Sequence, residues 1–349
     1  MAGRIDVGIL GATGMVGQQF ISQLQNHPWF ELTWLAASER SEGRKYVDAA
    51  PWRLEASPPD GLGSRLVQAA VPGRGPRLVF SALDAGVAGE IEEAFAAAGH
   101  LVVSNARNHR LDPTVPLLVP EVNADHLALA ASQQAAKGWR GAIVTNPNCS
   151  TVVLSMALAP LRPFGLRSCI VTTLQAVSGA GYPGVPSFDI LGNAIPFIAG
   201  EEEKIEIETR KILGTLTDGR VEMHAVAVSA HTNRVPVLDG HTETVSVALA
   251  QPVEAADLRA AFAAFRGAPQ ELGLPSAPPR PIVYLDQPNR PQPRFDAMRD
   301  GGMTVSVGRL RPCPVLGWKF VTLGHNTIRG AAGAAVLNAE LIVARGWMD

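Results

Sequence analysis

Within the run Asn146-Pro147-Asn148-Cys149-Ser150-Thr151 a thiol stands where a turn gives way to a helical pattern. The first N–H groups of a helix have no partner of their own, so a side chain placed there meets donors that favour a thiolate and can hold a developing oxyanion. Cys149 is the candidate nucleophile, with Asn148 and Thr151 as polar neighbours that a packing cysteine would not need. Of the other cysteines, Cys169 lies in an apolar strand pattern and Cys313 between two prolines, and neither has a helix start beside it. A thiolate acting on a carbonyl needs a group that exchanges protons near neutral pH, which points to histidine. His241 follows Gly240 just before a strand pattern and lies near Arg234, whose planar guanidinium suits a carboxylate. His231 and His325 are its rivals. Gln175 closes a strand pattern ahead of the turn Ser178-Gly179-Ala180-Gly181. Glu201, Glu202, Glu203 and Lys204 open a charged helix that by itself reads as a solvated face.

The chain that must position these groups has 349 residues, long enough for two domains. With 46% hydrophobic and 18% charged residues it has the apolar material for ordinary globular cores. A formal net charge of −2 gives no reason to expect nucleic acid or an acidic membrane surface as partner. The N-terminus carries neither a signal pattern nor an apolar run of spanning length, so a cytoplasmic enzyme is expected. Three scattered cysteines make neither a disulfide framework nor a zinc cage, and no metal is expected.

In the first half, the apolar run Asp6 to Leu10 leads into Gly11-Ala12-Thr13-Gly14-Met15-Val16-Gly17 and then into helical spacing over 18–25. Strand, glycine turn and helix in that order suit a dinucleotide, whose pyrophosphate meets the N–H groups at the helix start. The second strand, 31–37, runs into Ser38-Glu39-Arg40-Ser41. Serines and an arginine can hold a 2′-phosphate and favour NADP, whereas Glu39 could take the ribose hydroxyls of NAD. Strand patterns at 78–82 and 101–105 alternate with a helix at 89–98, giving a parallel doubly wound sheet with Ser81, Leu83 and Asn105 near its carboxyl edge.

The second half reads as α+β with a mixed sheet. A helix is expected over 151–161 and strands over 167–177, 221–228, 243–250, 303–310 and 318–323. The proline-rich segment 269–293 reads as an irregular surface excursion or an oligomer contact, and 330–345 as an alanine-rich helix that packs back onto the first domain.

Together these residues resemble the aspartate-β-semialdehyde dehydrogenases of the archaeal and fungal-like branch. The motifs that carry the resemblance run in order over nearly the whole chain: GATGMVG at 11–17, SERS at 38–41, SNARNHR at 104–110, VPEVN at 119–123, NPNCST at 146–151, QAVSGAG at 175–181, NRVPV at 233–237 with Gly240 and His241, and HNTIRGAAG at 325–333. The resemblance implies NADPH-dependent reduction of β-aspartyl phosphate to aspartate β-semialdehyde and phosphate, on the route to lysine, methionine and threonine. It implies Cys149 as nucleophile, Gln175 as the residue orienting the intermediate and His241 as acid/base. Arg234 then binds the substrate α-carboxylate, Arg110 with Lys204 the phosphate, and Glu201, or its neighbour Glu202, the α-amino group, with Asn148 beside the substrate. Gly11, Thr13, Gly14, Met15, Val16, Ser38, Arg40, Ser41, Ser81, Leu83, Ser178, Gly179 and Asn326 are the expected NADP contacts. The implied architecture is α/β: a Rossmann-type NADP-binding domain over 1–148, a catalytic and dimerisation domain over 149–326, and a C-terminal helix over 327–349. A homodimer or homotetramer is expected. The same scaffold would also serve an acyl-CoA reductase such as malonyl-CoA reductase, or a non-catalytic NADP-binding sensor.

Overall fold

Four short apolar runs, Ile5–Leu10 (β1), Leu78–Ser81 (β4), Leu101–Ser104 (β5) and Ala142–Thr145 (β6), are buried almost end to end. Burial of that kind marks a parallel sheet covered on both faces. In the computed structural model, which describes residues 3–348, they pair with Phe30–Ala37 (β2) and Gln68–Ala69 (β3). The all-parallel sheet has the order β3-β2-β1-β4-β5-β6. The order reverses between β1 and β4, and such a reversal opens a crevice at the carboxyl ends of the strands. Helices Met15–Leu24 (α1), Ala85–Ala97 (α2) and Leu129–Lys137 (α3) connect or flank these strands.

The second sheet is mixed. It contains Leu166–Gln175 (β7), Ala227–Arg234 (β10), His241–Leu249 (β11), Ile282–Leu285 (β12), Val305–Cys313 (β13) and Gly317–Gly324 (β14), in the order β10-β7-β11-β14-β13-β12. Thr215–Thr217 (β8) and Arg220–Glu222 (β9) form a separate small hairpin. Along β7 inward residues such as Val171, Thr173 and Gln175 alternate with the exposed Ile170 and Leu174, as a strand with one covered face requires. The inner face packs on helix Cys149–Leu158 (α4), and Glu201–Ile212 (α5) and Ala255–Ala264 (α6) lie against the same half. Every residue of α4 after Cys149 is buried. Because α4 is buried all round, Ser150, Thr151 and Ser155 included, the core encloses it on all sides and so fixes the position of its half-buried first residue, Cys149.

The last helix, Gly333–Ala344 (α7), is buried from Gly333 to Ile342. Its residues Ala335, Val336 and Ile342 share one apolar cluster with Val7, Ile9 and Phe20 of the first sheet and α1. His27 Nε2 and Glu340 Oε1 lie 2.7 Å apart, and Ser276 N–H donates to the same carboxylate, which ties α7 to both halves. Among the described residues no helix is long and apolar enough to cross a membrane.

Two sequence expectations are corrected. The stretch 221–228 is not one strand: β9 ends at Glu222 and β10 starts at Ala227, with a break at 223–226. Nor is 269–293 wholly irregular, since it contains β12, whose Ile282 is fully buried and which pairs in parallel with β13. A four-residue strand closely flanked by prolines carries too short a pattern to outweigh its flanks, and prolines tolerate only an edge position of this kind.

Candidate active site

The sequence Asn148-Cys149 places the nucleophile candidate at the first residue of α4, with Asn148 as the cap. Asn148 Oδ1 accepts from the N–H groups of Ser150 and Thr151 at 3.0 and 3.2 Å, the side-chain capping expected of asparagine there. Gly330 makes room above the thiol, since a Cβ on it would lie 2.6 Å from Cys149 Cβ. Gly330 belongs to a π-helical turn, Ile328–Ala332, locked by the fully buried pair Arg329–Glu121, in which two guanidinium nitrogens donate to the two carboxylate oxygens at 2.8 and 2.6 Å.

At 3.2 Å from Cys149 Sγ stands Nε2 of His241, fully buried at the start of β11. The backbone N–H of Ala176 donates to His241 Nδ1 at 3.1 Å. Nδ1 is therefore an acceptor, and the proton of the neutral ring sits on Nε2 and points at the sulfur. The rival His231 lies exposed on β10, and His325 lines the cavity without a bond to the thiol. Arg234, at the end of β10, donates from Nη1 to Ala176 O at 2.8 Å, and a Cβ on Gly179 would lie 2.8 Å from that Nη1 and 3.1 Å from His241 Cε1. Gly179 is thus in contact with both functional side chains.

Burial and the carboxylate of Glu201 push the Cys149 thiol up to about 12, against the opposing pull of Arg234, Arg110 and the Ser150 N–H. The helix start does favour the thiolate, as its sequence position suggests, but burial and a nearby acid outweigh it. Burial first, then Arg234 and His325, pull His241 down to about 3, so the imidazole is neutral at physiological pH. Burial also lowers Arg234, with Cys149 and Glu201 acting in the opposite direction.

The other expected substrate contacts separate clearly. Glu201 is buried and reaches Asn148 Nδ2 at 2.5 Å and Lys204 Nζ at 3.0 Å. Glu202 turns away to accept from Thr232 N–H, so of the two it is Glu201 that reaches the residue before Cys149. Arg110 lines the cavity beside Cys149, paired with Glu208 and with Asn105 O. Gln175 is buried at the end of β7 and donates to Thr173 Oγ1 at 3.3 Å. The charged helix is not a solvated face throughout, because Glu201, Glu208 and Lys211 are buried along one side.

One cavity of about 1390 Å³ touches both the start of α4 and the start of α1, through Cys149 and Asn148 at one end and Met15 and Val16 at the other. The turn into α1 suits a dinucleotide pyrophosphate. Gly11 has φ +79° and a Cβ on it would lie 2.6 Å from Ala82 O, while one on Gly17 would lie 2.3 Å from Gly11 O. The turn is therefore closed to side chains at Gly11 and Gly17, while Thr13 lies between them. Gly14 caps the helix with no side-chain bond, and the first turn carries no acid, which leaves its N–H groups open to an anion. Ser178, Gly179 and Asn326 line the same cavity, and Asn326 bridges Ser178 Oγ at 2.7 Å and Gly240 N–H at 2.8 Å. Ser38 and Arg40 are exposed after β2, Ser41 is buried, and Leu83 is half-buried just past β4. Ser81 is fully buried and its side chain faces Glu92 rather than the cavity.

Two family models match the chain: a semialdehyde dehydrogenase NAD binding domain over residues 6–130 and a semialdehyde dehydrogenase dimerisation domain over 158–329. An aspartate-semialdehyde dehydrogenase of Methanothermobacter thermautotrophicus is 51% identical over 343 residues, covering 97% of this chain and 99% of its own. The chain belongs to the aspartate-semialdehyde dehydrogenase family. The family member from Archaeoglobus fulgidus is 48% identical over 97% of this chain and 98% of its own. A crystal structure of aspartate semialdehyde dehydrogenase with NADP from Candida albicans superimposes with a TM-score of 0.90 at 44% identity, covering 98% of this chain and 99% of that one.

In this member of the aspartate-semialdehyde dehydrogenase family, sequence reasoning passed over Gly330, Glu208, Lys211 and the Arg329–Glu121 pair. Gly330 lies inside the motif at 325–333, but its close approach to Cys149 joins positions 181 residues apart. The charges of Glu208 and Lys211 carry no mark that separates them from their solvated neighbours on the same helix.

Proposed function

We propose that the enzyme catalyses NADPH-dependent reductive dephosphorylation of L-aspartyl 4-phosphate to L-aspartate 4-semialdehyde through a thioester on Cys149. The observation that carries this reading is the Cys149 thiol at the start of α4, 3.2 Å from His241 Nε2 and under the influence of Arg234, Arg110 and Glu201. Two guanidiniums and one carboxylate match a substrate with a carboxylate, a phosphate and an ammonium group. Arg234 takes the α-carboxylate, Arg110 with Lys204 the phosphate, and Glu201 the α-amino group.

In the first step the sulfur–carbon bond forms, the carbon–oxygen bond to phosphate breaks, and the thiol proton leaves with the phosphate. Asn148 Oδ1 takes the N–H groups of Ser150 and Thr151, so in the first turn of α4 it is the Cys149 N–H that steadies the tetrahedral oxyanion. The glycine turn and first turn of α1 would hold the NADP pyrophosphate, with Ser38, Arg40 and Ser41 at the 2′-phosphate and Ser178, Gly179 and Asn326 toward the reactive end. When bound, the reduced cofactor supplies the hydride that converts the thioester to the aldehyde level. His241 presents its Nε2 proton to the resulting alkoxide, while Ala176 N–H keeps the ring in the donor tautomer. Collapse of the alkoxide then expels the Cys149 thiolate, a workable leaving group. Gln175 orients the intermediate from the end of β7.

Substrate binding itself prepares the nucleophile. A substrate ammonium paired with Glu201 cancels the negative charge that holds the thiol up, and the phosphate and carboxylate anchor beside the arginines that favour the thiolate. Glu201→Gln is therefore expected to act in opposite senses on two measurements. Removing the carboxylate lowers the Cys149 pKa, so iodoacetamide alkylation of the free enzyme is faster at pH 8. Turnover falls, because the amino group loses its partner. Slower alkylation in the variant would contradict this electrostatic assignment.

We further propose domain limits of 1–148, 149–326 and 327–349, a role in lysine, methionine and threonine synthesis in the cytoplasm, and a homo-oligomer. Supporting the last are the uncovered face of β7, with Ile170 and Leu174, and the exposed Phe188, Leu191 and Phe197, an apolar area suited to a second copy of the chain.

The experiment that tests the function is NADP reduction by aspartate semialdehyde with and without inorganic phosphate. Turnover that requires phosphate is expected, and turnover with CoA alone would replace this reading by an acyl-CoA reductase.

A further inference from the structure

The buried carboxylate of Glu208 divides its two oxygens between two parts of the site. Oε1 accepts from Arg110 Nη1 at 3.0 Å and Oε2 accepts from the backbone N–H of Asn148 at 2.6 Å. Asn148 is the residue before the nucleophile, and its side chain is in turn held by Glu201, seven positions earlier on the same helix. Seven residues are two turns, so Glu201 and Glu208 stand above one another on one face. Lys211 continues the arrangement by donating to the carbonyls of Arg110, Asp112 and Val115 at 2.8, 2.8 and 3.0 Å. Thus α5 grips the turn that carries Cys149 and the segment that carries Arg110.

We propose that Glu208 is a positioning residue for acyl transfer, fixing the Arg110 guanidinium and the Cys149 turn in register so that the phosphate-bearing carbon meets the sulfur. The inference rests on the reading of Arg110 as the phosphate ligand. Its chemistry is specific to glutamate. Both groups that face the carboxylate are N–H donors, so two acceptor oxygens are needed at once. A glutamine has one acceptor and would turn its NH₂ toward one of the donors. An aspartate is a methylene too short to span both. An apolar residue would leave a buried guanidinium nitrogen and a buried backbone N–H unpaired.

Three readouts separate positioning from a merely structural role. In Glu208→Gln the KM for inorganic phosphate rises and kcat falls, together lowering kcat/KM by about 100-fold, the scale of a small misplacement of reacting groups. The KM for NADP is unchanged, because the glycine turn lies elsewhere, whereas the melting temperature falls, because the buried Arg110 guanidinium loses its counter-charge, and the kinetics are compared well below the variant's own melting transition. In Glu208→Ala, added formate, which supplies two acceptor oxygens, restores part of the phosphate-dependent rate. Should Glu208→Gln fail to fold, Glu208→Asp carries the same comparison with charge retained. Phosphate-dependent turnover in the parent enzyme with unaltered phosphate KM and kcat in the folded variant would overturn this proposal alone. A loss that falls equally on the KM for NADP, with no effect of formate, would overturn it as well. Absence of phosphate dependence in the parent would remove the assignment of Arg110 and the proposal together.

Discussion

Replacing Cys149 by serine is expected to reduce phosphate-dependent turnover on the order of 10⁴-fold or more, the scale seen when an enzyme loses its covalent nucleophile. Oxygen for sulfur changes the side chain by little in size, and the site at the head of α4 accommodates either, so folding and NADP binding are expected to be unaltered. The chemistry is what fails. A serine hydroxyl stays protonated in a site where even the thiol is held up to about 12, and His241 Nε2, already carrying its proton, is not free to remove another. An alkoxide is also a far poorer leaving group than a thiolate, so collapse to the aldehyde is slowed too. Mass spectrometry of acid-quenched parent enzyme with aspartate semialdehyde and NADP should show the acyl mass on the peptide containing Cys149. Retention of turnover by Cys149→Ala would remove the thioester from the mechanism.

What could be read from the sequence follows from how local each constraint is. The glycine turn was legible because a tight reversal into a helix gives Gly11 a positive φ and sets Gly17 against the Gly11 carbonyl, and both constraints act within seven residues, although a Cβ on Gly11 would also press on the distant Ala82. Cys149 was legible for the same reason, since a capping asparagine and the helix it caps are adjacent. His241 was only one of three candidates from residue chemistry, because what separates it from His231 is the sheet. β11 points His241 inward onto α4, whereas β10 leaves His231 exposed. The ion pairs of α5 were illegible on their own, as a run of glutamates and lysines looks the same whether one face is buried or all are wet. β12 was hidden by its length and its prolines. In each miss the deciding partner lies far away along the chain, as with Glu208 and Asn148, sixty positions apart.

His241→Asn is the second large effect, an expected loss of about 10² to 10⁴-fold in kcat. Asparagine can still offer an oxygen to the Ala176 N–H, so the strand end is preserved, but nothing remains at the position of Nε2, 3.2 Å from the sulfur. The alkoxide then forms without its donor. The same substitution has a second consequence, in stability, whose sign follows from the position of the imidazole pKa. In the folded enzyme burial, Arg234 and His325 hold it down to about 3, whereas an unfolded chain binds the proton near 6.5. Between these values the unfolded state carries more protons than the folded one, so stability falls as pH drops from 6.5 toward 3 and is fully present above 6.5. Asparagine does not titrate. The parent enzyme is therefore expected to lose more of its Tm than His241→Asn when both are melted at pH 7.5 and at pH 4.5, with the gap between them narrowing or reversing on the acid side. Equal acid shifts in the two proteins would mean that His241 is protonated in the folded state, and the neutral donor role assigned to its Nε2 would have to be replaced by that of an imidazolium paired with a resting thiolate.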